Sequence, residues 1–86
     1  AAILRNIVYP EIAREAQIEG KVVIKAFINK EGIVTDCVVF QGIPNTGLNE
    51  AAMDAIKKTR FKPAKQRDRN VSVWIAIPVN FKLKSN

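Results

Sequence analysis

From Val71 to Leu83 every odd-numbered residue is large and apolar: Val71, Val73, Ile75, Ile77, Val79, Phe81 and Leu83. Between them stand Ser72, Trp74, Ala76, Pro78, Asn80 and Lys82. Successive side chains on a strand point to opposite faces, so this period of two predicts one long strand with a single face in the core. Pro78 adds a constraint. Proline has no N–H to give to a ladder, so it belongs on an edge strand, at a bulge or at a strand start. A long β-branched strand that holds a proline is therefore expected at the edge of its sheet. An open edge can accept a peptide as an extra strand. The blander alternative, which this stretch alone favours, is a strand that closes the core, with the proline blocking aggregation.

The rest of the chain must supply what that strand packs against. With 86 residues, one domain is expected, burying only about 60–65% of its unfolded surface. The segment starting at Tyr9-Pro10 opens a helix, because proline suits a first helical turn. Residues 11–19 read as that helix, with Ile12, Ala13 and Ala16 on one side and Gly20 placed to end it. Residues 21–29 form a first strand. Val22, Ile24, Ala26 and Ile28 make one face; Val23, Lys25, Phe27 and Asn29 make the other. Lys30-Glu31-Gly32 is a hairpin connection with a glycine for positive φ. In the second strand, residues 33–41, the core positions change parity between Val34 and the pair Cys37 and Val39. A β-bulge near Thr35-Asp36 absorbs the extra residue.

Residues 42–47 are dense in turn formers. From Leu48 to about Arg60, the spacing of Leu48, Ala52, Ala55, Ile56 and Thr59 predicts the main amphipathic helix. Pro63 stops it, and residues 65–69 read as a charged turn into the last strand. The order helix, strand, strand, helix, strand predicts an α+β fold of two layers: a three-stranded antiparallel sheet, order 2-1-3, with two helices on one face. The third strand is then an edge, in agreement with Pro78.

Composition restricts the chemistry. The chain has no histidine and one cysteine, Cys37. The usual general base, the His-paired nucleophiles and an N/S zinc site are thereby removed. No metal, cofactor or catalytic residue is predicted, and Cys37 reads as a small core residue. No stretch reaches the roughly 18 apolar residues that a membrane helix needs. The only methionine is Met53 and the chain starts at Ala1, so a fragment of a longer protein is expected.

The net charge of +6 favours acidic partners. Lys57, Lys58, Arg60, Lys62, Lys65, Arg67 and Arg69 concentrate it. A nucleic-acid-binding module is the competing class for such a run. Against it, cations at a helix C-terminus complement the dipole, and the only interleaved aromatic, Phe61, reads as core. Trp74, Phe27 and Val23, joined by Val38 and Phe40, fall on the sheet face opposite the main helix. That face is expected to contact a partner, to be covered by the arm of residues 1–8, or to pair in a homodimer.

Several short motifs, in order, resemble one family. Tyr9-Pro10 is followed by Ala13 and Ala16, and Gly20-Lys21-Val22 opens the first strand. Glu31-Gly32-Ile33-Val34 forms the hairpin, and Leu48-Asn49-Glu50-Ala51-Ala52 opens the main helix. Arg60-Phe61-Lys62-Pro63-Ala64 closes it, and Ile77-Pro78-Val79-Asn80-Phe81 lies in the last strand. From Tyr9 to about Leu83 the chain is similar to the C-terminal domain of TonB, the energy transducer of Gram-negative envelopes. The resemblance implies an arm over residues 1–8 and the domain proper over 9–86. It implies a non-enzymatic periplasmic domain of a protein anchored in the inner membrane. The missing N-terminal part would meet an ExbB/ExbD-type inner-membrane complex that harvests the proton gradient. The domain would grip the TonB box of an outer-membrane receptor by strand addition, and nucleic acid would not be a partner.

Carried over position by position, the gripping edge is Val71, Ser72, Val73, Trp74, Ile75, Ala76 and Ile77. The upstream contact is Asn6, Ile7, Val8, Tyr9 and Pro10. The chain departs from relatives at Asn6, where enteric members have glutamine, and at Thr59, where many have tryptophan. It departs again at Ala26, where an aromatic is usual and Phe27 stands beside it. A related transducer such as TolA, or a TonB-like domain in a signalling protein, is the alternative within the envelope.

Overall fold

The structure, a computed structural model, describes residues 6–83. Its elements are α1 (Glu11–Glu15), β1 (Gly20–Ile28), β2 (Val34–Gln41), α2 (Leu48–Lys58), β3 (Ala64–Gln66), β4 (Arg69–Val71) and β5 (Val73–Phe81). β1 is the centre of the main sheet. It pairs antiparallel with β2 on one side and with β5 on the other, giving the order β2-β1-β5. This is the predicted α+β arrangement, with the last long strand at an edge.

The alternations in the sequence become the two faces of that sheet. Val22, Ile24, Ala26 and Ile28 of β1 are buried, as are Ile77, Val79 and Phe81 of β5. Against them α2 lays Leu48, Ala52 and Ile56, and α1 contributes Ala13. Alanines at 13, 26, 52 and 55, all fully buried, let helix and sheet backbones approach closely. The largest wholly buried side chains are Phe81, Ile24, Leu48, Ile56 and Val22. Burying each stabilises the fold by roughly 1.5–3 kcal/mol.

The register of β1 with β2 shifts between Phe27 and Ile28, leaving Thr35 as the extra residue of the expected bulge. A second shift, between Val23 and Ile24, leaves Phe40 over. It was not legible, because Phe40 fits either parity. Val39 pairs with Ile24 on the core side, yet it is 39% exposed. An edge strand has covering layers on fewer sides than a central one.

Three local expectations are corrected. The first helix ends at Glu15, not at residue 19, and Gly20 does not end it. Gln17 takes the left-handed conformation with φ 55°. The Ile18 N–H then donates to the Ala13 carbonyl at 2.8 Å and the Gln17 N–H to the Arg14 carbonyl at 3.1 Å. This pair of bonds is a Schellman closure, and the half-buried Ile18 seals it beside Ala13. Residues 65–69 are not a simple turn. β3 and β4 form a small hairpin with Gln66 opposite Arg69, turning through Arg67-Asp68, and Arg67 has φ 57°. Finally, the last strand does not run unbroken from Val71. The ladder is interrupted at Ser72, so Val71 belongs to β4 while β5 starts at Val73.

Gly32 locks the β1–β2 turn to the end of α2. Its φ is +84°, and a Cβ there would stand 1.9 Å from the Phe61 carbonyl oxygen. The Phe61 N–H donates to the Gly32 carbonyl at 2.8 Å. Only glycine permits this close approach of two backbones.

Candidate functional site

Among the described residues β5 has a strand partner on one side only. Its register with β1 runs from Val73 opposite Ile28 to Phe81 opposite Gly20. Among the described residues no strand of the main sheet lies on its other side. In an antiparallel ladder a residue directs both its N–H and its C=O to the same side, and the next residue directs them to the other. Pro78 lies within the ladder, opposite Val23. Its nitrogen carries no hydrogen, so its ladder side is the outer one. The same parity then turns Trp74, Ala76 and Asn80 outward. Trp74 and Ala76 each present an N–H and a C=O to the open edge, and Pro78 presents a C=O alone. A peptide laid along this edge would find about five hydrogen bonds, four before the missing donor and one at the Pro78 C=O just past it.

The predicted edge residues are therefore divided between two elements. Val73, Trp74, Ile75, Ala76 and Ile77 lie on β5. Val71 ends β4, and Ser72 is the half-buried link between the two.

Residues 6–10 lie in the helix layer. The Asn6 side-chain amide donates to Thr59 Oγ1 at 3.0 Å, and that hydroxyl donates to the Ala55 carbonyl at 2.7 Å. At the other end of α2, Pro10 packs beside Gly47, its Cβ 3.2 Å from where a Gly47 Cβ would stand. The segment thus runs opposite in direction to α2. Ile7 and Tyr9 pack against the core, while Val8 is 72% exposed. The Tyr9 ring meets Phe81 edge to face, with centroids 5.6 Å apart. The end of α2 holding Thr59 lies at the β1–β2 turn, where Arg60 Nε donates to the Glu31 carbonyl at 3.2 Å. That is also the end at which β5 begins. The segment therefore runs in the same direction as β5, from near its start toward Phe81. The contact given between this segment and β5 is that of Tyr9 with Phe81, beyond the predicted edge residues.

Tyr9 is the anchor of this arrangement. Its hydroxyl donates to the Ile18 carbonyl, just past the helix closure. The Arg14 guanidinium lies 5.7 Å from its ring centroid. Desolvation, with the negative charge of Glu19 as a smaller cause, pushes the hydroxyl pKa above its usual value, and Arg14 opposes the rise. Nothing in the sequence announced the Asn6–Thr59 bond, since its partners are far apart in the chain and the spacing that puts Thr59 on the helix face does not name its partner.

The sheet face away from the helices is uncovered among the described residues. Trp74 is 51% exposed, Phe40 63% and Val38 48%. Phe27 and Trp74 stack obliquely with centroids 5.3 Å apart, and Lys25 Nζ lies 4.6 Å from the Phe40 centroid. Residues 6–8 of the expected covering arm lie on the helix side instead, and residues 1–5 fall outside the described part. Cys37 is half-buried and packs against the core. Among the described residues no group of three or more His, Cys, Asp or Glu is arranged to hold a metal. No helix there is long and apolar enough to cross a membrane.

The family model for the Gram-negative bacterial TonB protein C-terminal matches residues 5–83. The chain belongs to the TonB C-terminal family. TonB of Helicobacter pylori (strain 26695) is 35% identical over 78 residues, 91% of this chain and 26% of that protein. The tonB2 protein of Pseudomonas aeruginosa is 31% identical over 75 residues, 87% of this chain and 28% of that protein. The solution NMR structure of the H. pylori TonB C-terminal domain is similar with a TM-score of 0.76 at 34% identity, covering 99% of this chain and 89% of that one. That of the P. aeruginosa TonB C-terminal domain gives 0.75 at 26% identity, covering 93% and 81%. The chain spans about a quarter to a third of the length of the curated TonB relatives it matches. Asn6 and Thr59, two of the three positions read from the sequence as departures from the family pattern, are hydrogen-bonded to each other.

Proposed function

We propose that this domain grips the TonB box of an outer-membrane receptor by adding it as a strand to the open edge of β5. The observation that carries the reading is the unpaired β5 edge interrupted at Pro78, in a chain of the TonB family. Main-chain bonding gives affinity without demanding one side-chain sequence, so one domain can serve several receptors. About five bonds at roughly 1 kcal/mol each correspond to a dissociation constant of the order of a tenth of a millimolar. Such a grip can be released after each cycle. Residues 6–10 contribute a second contact from the helix layer, with the exposed Val8 at its centre. The domain works in the periplasm and catalyses no reaction. Through a part of the protein outside this chain it connects to an inner-membrane anchor and an ExbB/ExbD-type complex. A pull along the edge would load the ladder bonds together and convey proton-gradient energy to active uptake, siderophore uptake among the candidates.

The single tryptophan, Trp74, sits on this edge. Titration with a TonB-box peptide is expected to change its fluorescence saturably, and a scrambled peptide is expected to leave it unchanged. Equal responses to both would refute the reading. A second reading, pairing of two copies of the chain, is favoured by the exposed Trp74–Phe27 face. It predicts that Trp74→Ser lowers self-association in sedimentation; unchanged sedimentation would dismiss it.

A further inference from the structure

The charge on this domain is polarised along β5. At the end where β5 begins, the β3–β4 hairpin, the β1–β2 turn and the chain leaving α2 bring together Lys30, Arg60, Lys62, Lys65, Arg67 and Arg69, all exposed. The hairpin is tied into this cluster, because the Asn70 side-chain amide donates to the Lys30 carbonyl at 3.2 Å. Only Glu31 and Asp68 lie among these cations, with Asp36 farther off on β2. Lys30, Arg67, Asp68 and Arg69 line one open hollow there. Around the other end of β5 the charges offset one another: Glu11 and Glu15 share α1 with Arg14, and Glu19, which accepts from the Leu83 N–H at 2.6 Å, lies with Lys21 and Lys82. A single residue, Ser72, separates the basic hairpin from the first residue of the open edge.

We infer that the hairpin is a specificity element for an acidic segment flanking the strand that binds β5. This rests on the strand-addition reading above. A peptide that continues past Val73 runs toward the hairpin, whose exposed cations act over roughly 8 Å at physiological salt. Main-chain bonding along β5 reads no side chains, so the field at its end supplies selection that the ladder cannot. Complementary charge at the rim of an interface chiefly steers association and rejects wrong partners. The polarity also orients the partner. Its acidic flank lies beyond Val73, which is its C-terminal side if it pairs antiparallel to β5 and its N-terminal side if it pairs parallel.

The test uses three synthetic peptides sharing one TonB-box sequence: bare, with a short run of aspartates before it, and with the same run after it. Binding is read from Trp74 fluorescence at low and high salt, on the unaltered chain and on Lys65→Glu/Arg69→Glu. One extended peptide is expected to bind about three- to tenfold more tightly than the bare one at low salt. High salt and the double charge reversal should each remove the gain and leave bare-peptide binding in place. The salt series on the unaltered chain decides the matter even if the double variant folds poorly. Equal gains for both extensions would overturn the inference, since net charge alone would explain them. So would no gain, or a gain that survives charge reversal. A bare peptide that leaves Trp74 unchanged would defeat strand addition itself, and this inference with it.

Discussion

Tyr9 is the residue on which the upstream segment depends. It is the only tyrosine in the chain, so tyrosinate absorbance reports it alone. Partial desolvation, with the charge of Glu19 as the smaller cause, raises the pKa of its hydroxyl above the usual value near 10. The folded state therefore holds this proton more tightly than the unfolded state does. Below the unfolded pKa both states are protonated and the hydroxyl contributes its full stabilisation. As the pH rises past that value toward the folded pKa, the stabilisation is lost. The native protein should thus titrate at higher pH than the denatured protein, and its stability to denaturant should fall over that interval. Tyr9→Phe should keep the edge-to-face contact with Phe81 but leave the Ile18 carbonyl without its donor, at about 1 kcal/mol. Gly32→Ala is the severer substitution. A methyl group 1.9 Å from the Phe61 oxygen, at φ +84°, should destabilise by roughly 2–4 kcal/mol in denaturant melts. Sequence reading found that Gly32 needs positive φ. That Phe61 would press against it depends on two segments meeting only in the folded state.

At the scale of the element, β5 has two chemically distinct sides, and proline scanning distinguishes them. Ala76 shares the parity of Pro78, so Ala76→Pro should leave the ladder to β1 intact while removing an outward N–H. Thermal stability should change little and peptide binding should drop. Ile77→Pro removes an N–H that bonds to β1, and should cost about 3 kcal/mol or more. Comparable destabilisation by both would show that the parity is wrong. The alternations that define β1 and β5, and the spacing that defines α2, were legible because a half-buried element prints its period on the sequence. The end of α1 was not. Gly20 was the obvious candidate to stop the helix, but Gln17 stops it, with the Ile18–Ala13 bond compensating its left-handed conformation. The β3–β4 hairpin was hidden for a related reason. Its turn, Arg67-Asp68, contains no glycine or asparagine, and its strands are three residues each, too short for alternation to register. The break at Ser72 follows from that hairpin, and so does the assignment of Val71 to β4.

At the scale of the whole molecule, the domain is a sheet covered on one face, with one long edge left open and a cluster of six cations at the end of that edge where β5 begins. The upstream segment is held parallel to β5 by three distant contacts: Asn6 with Thr59, Tyr9 with Phe81, and Pro10 beside Gly47. Asn6→Ala should therefore loosen residues 6–9, by about 1 kcal/mol of local stability, while the sheet keeps its protection. Amide hydrogen exchange resolves the two regions. The sequence could place these two segments together only through resemblance to a family, because no local pattern encodes their proximity. The most direct test of the central claim is a two-dimensional NMR titration of the domain with a TonB-box peptide and a scrambled control. Strand addition at β5 predicts shifts concentrated in residues 6–10 and 71–77, with the outward N–H groups of Trp74 and Ala76 gaining exchange protection. No shifts with several box peptides, together with shifts around residues 57–69 on adding an oligonucleotide, would contradict it.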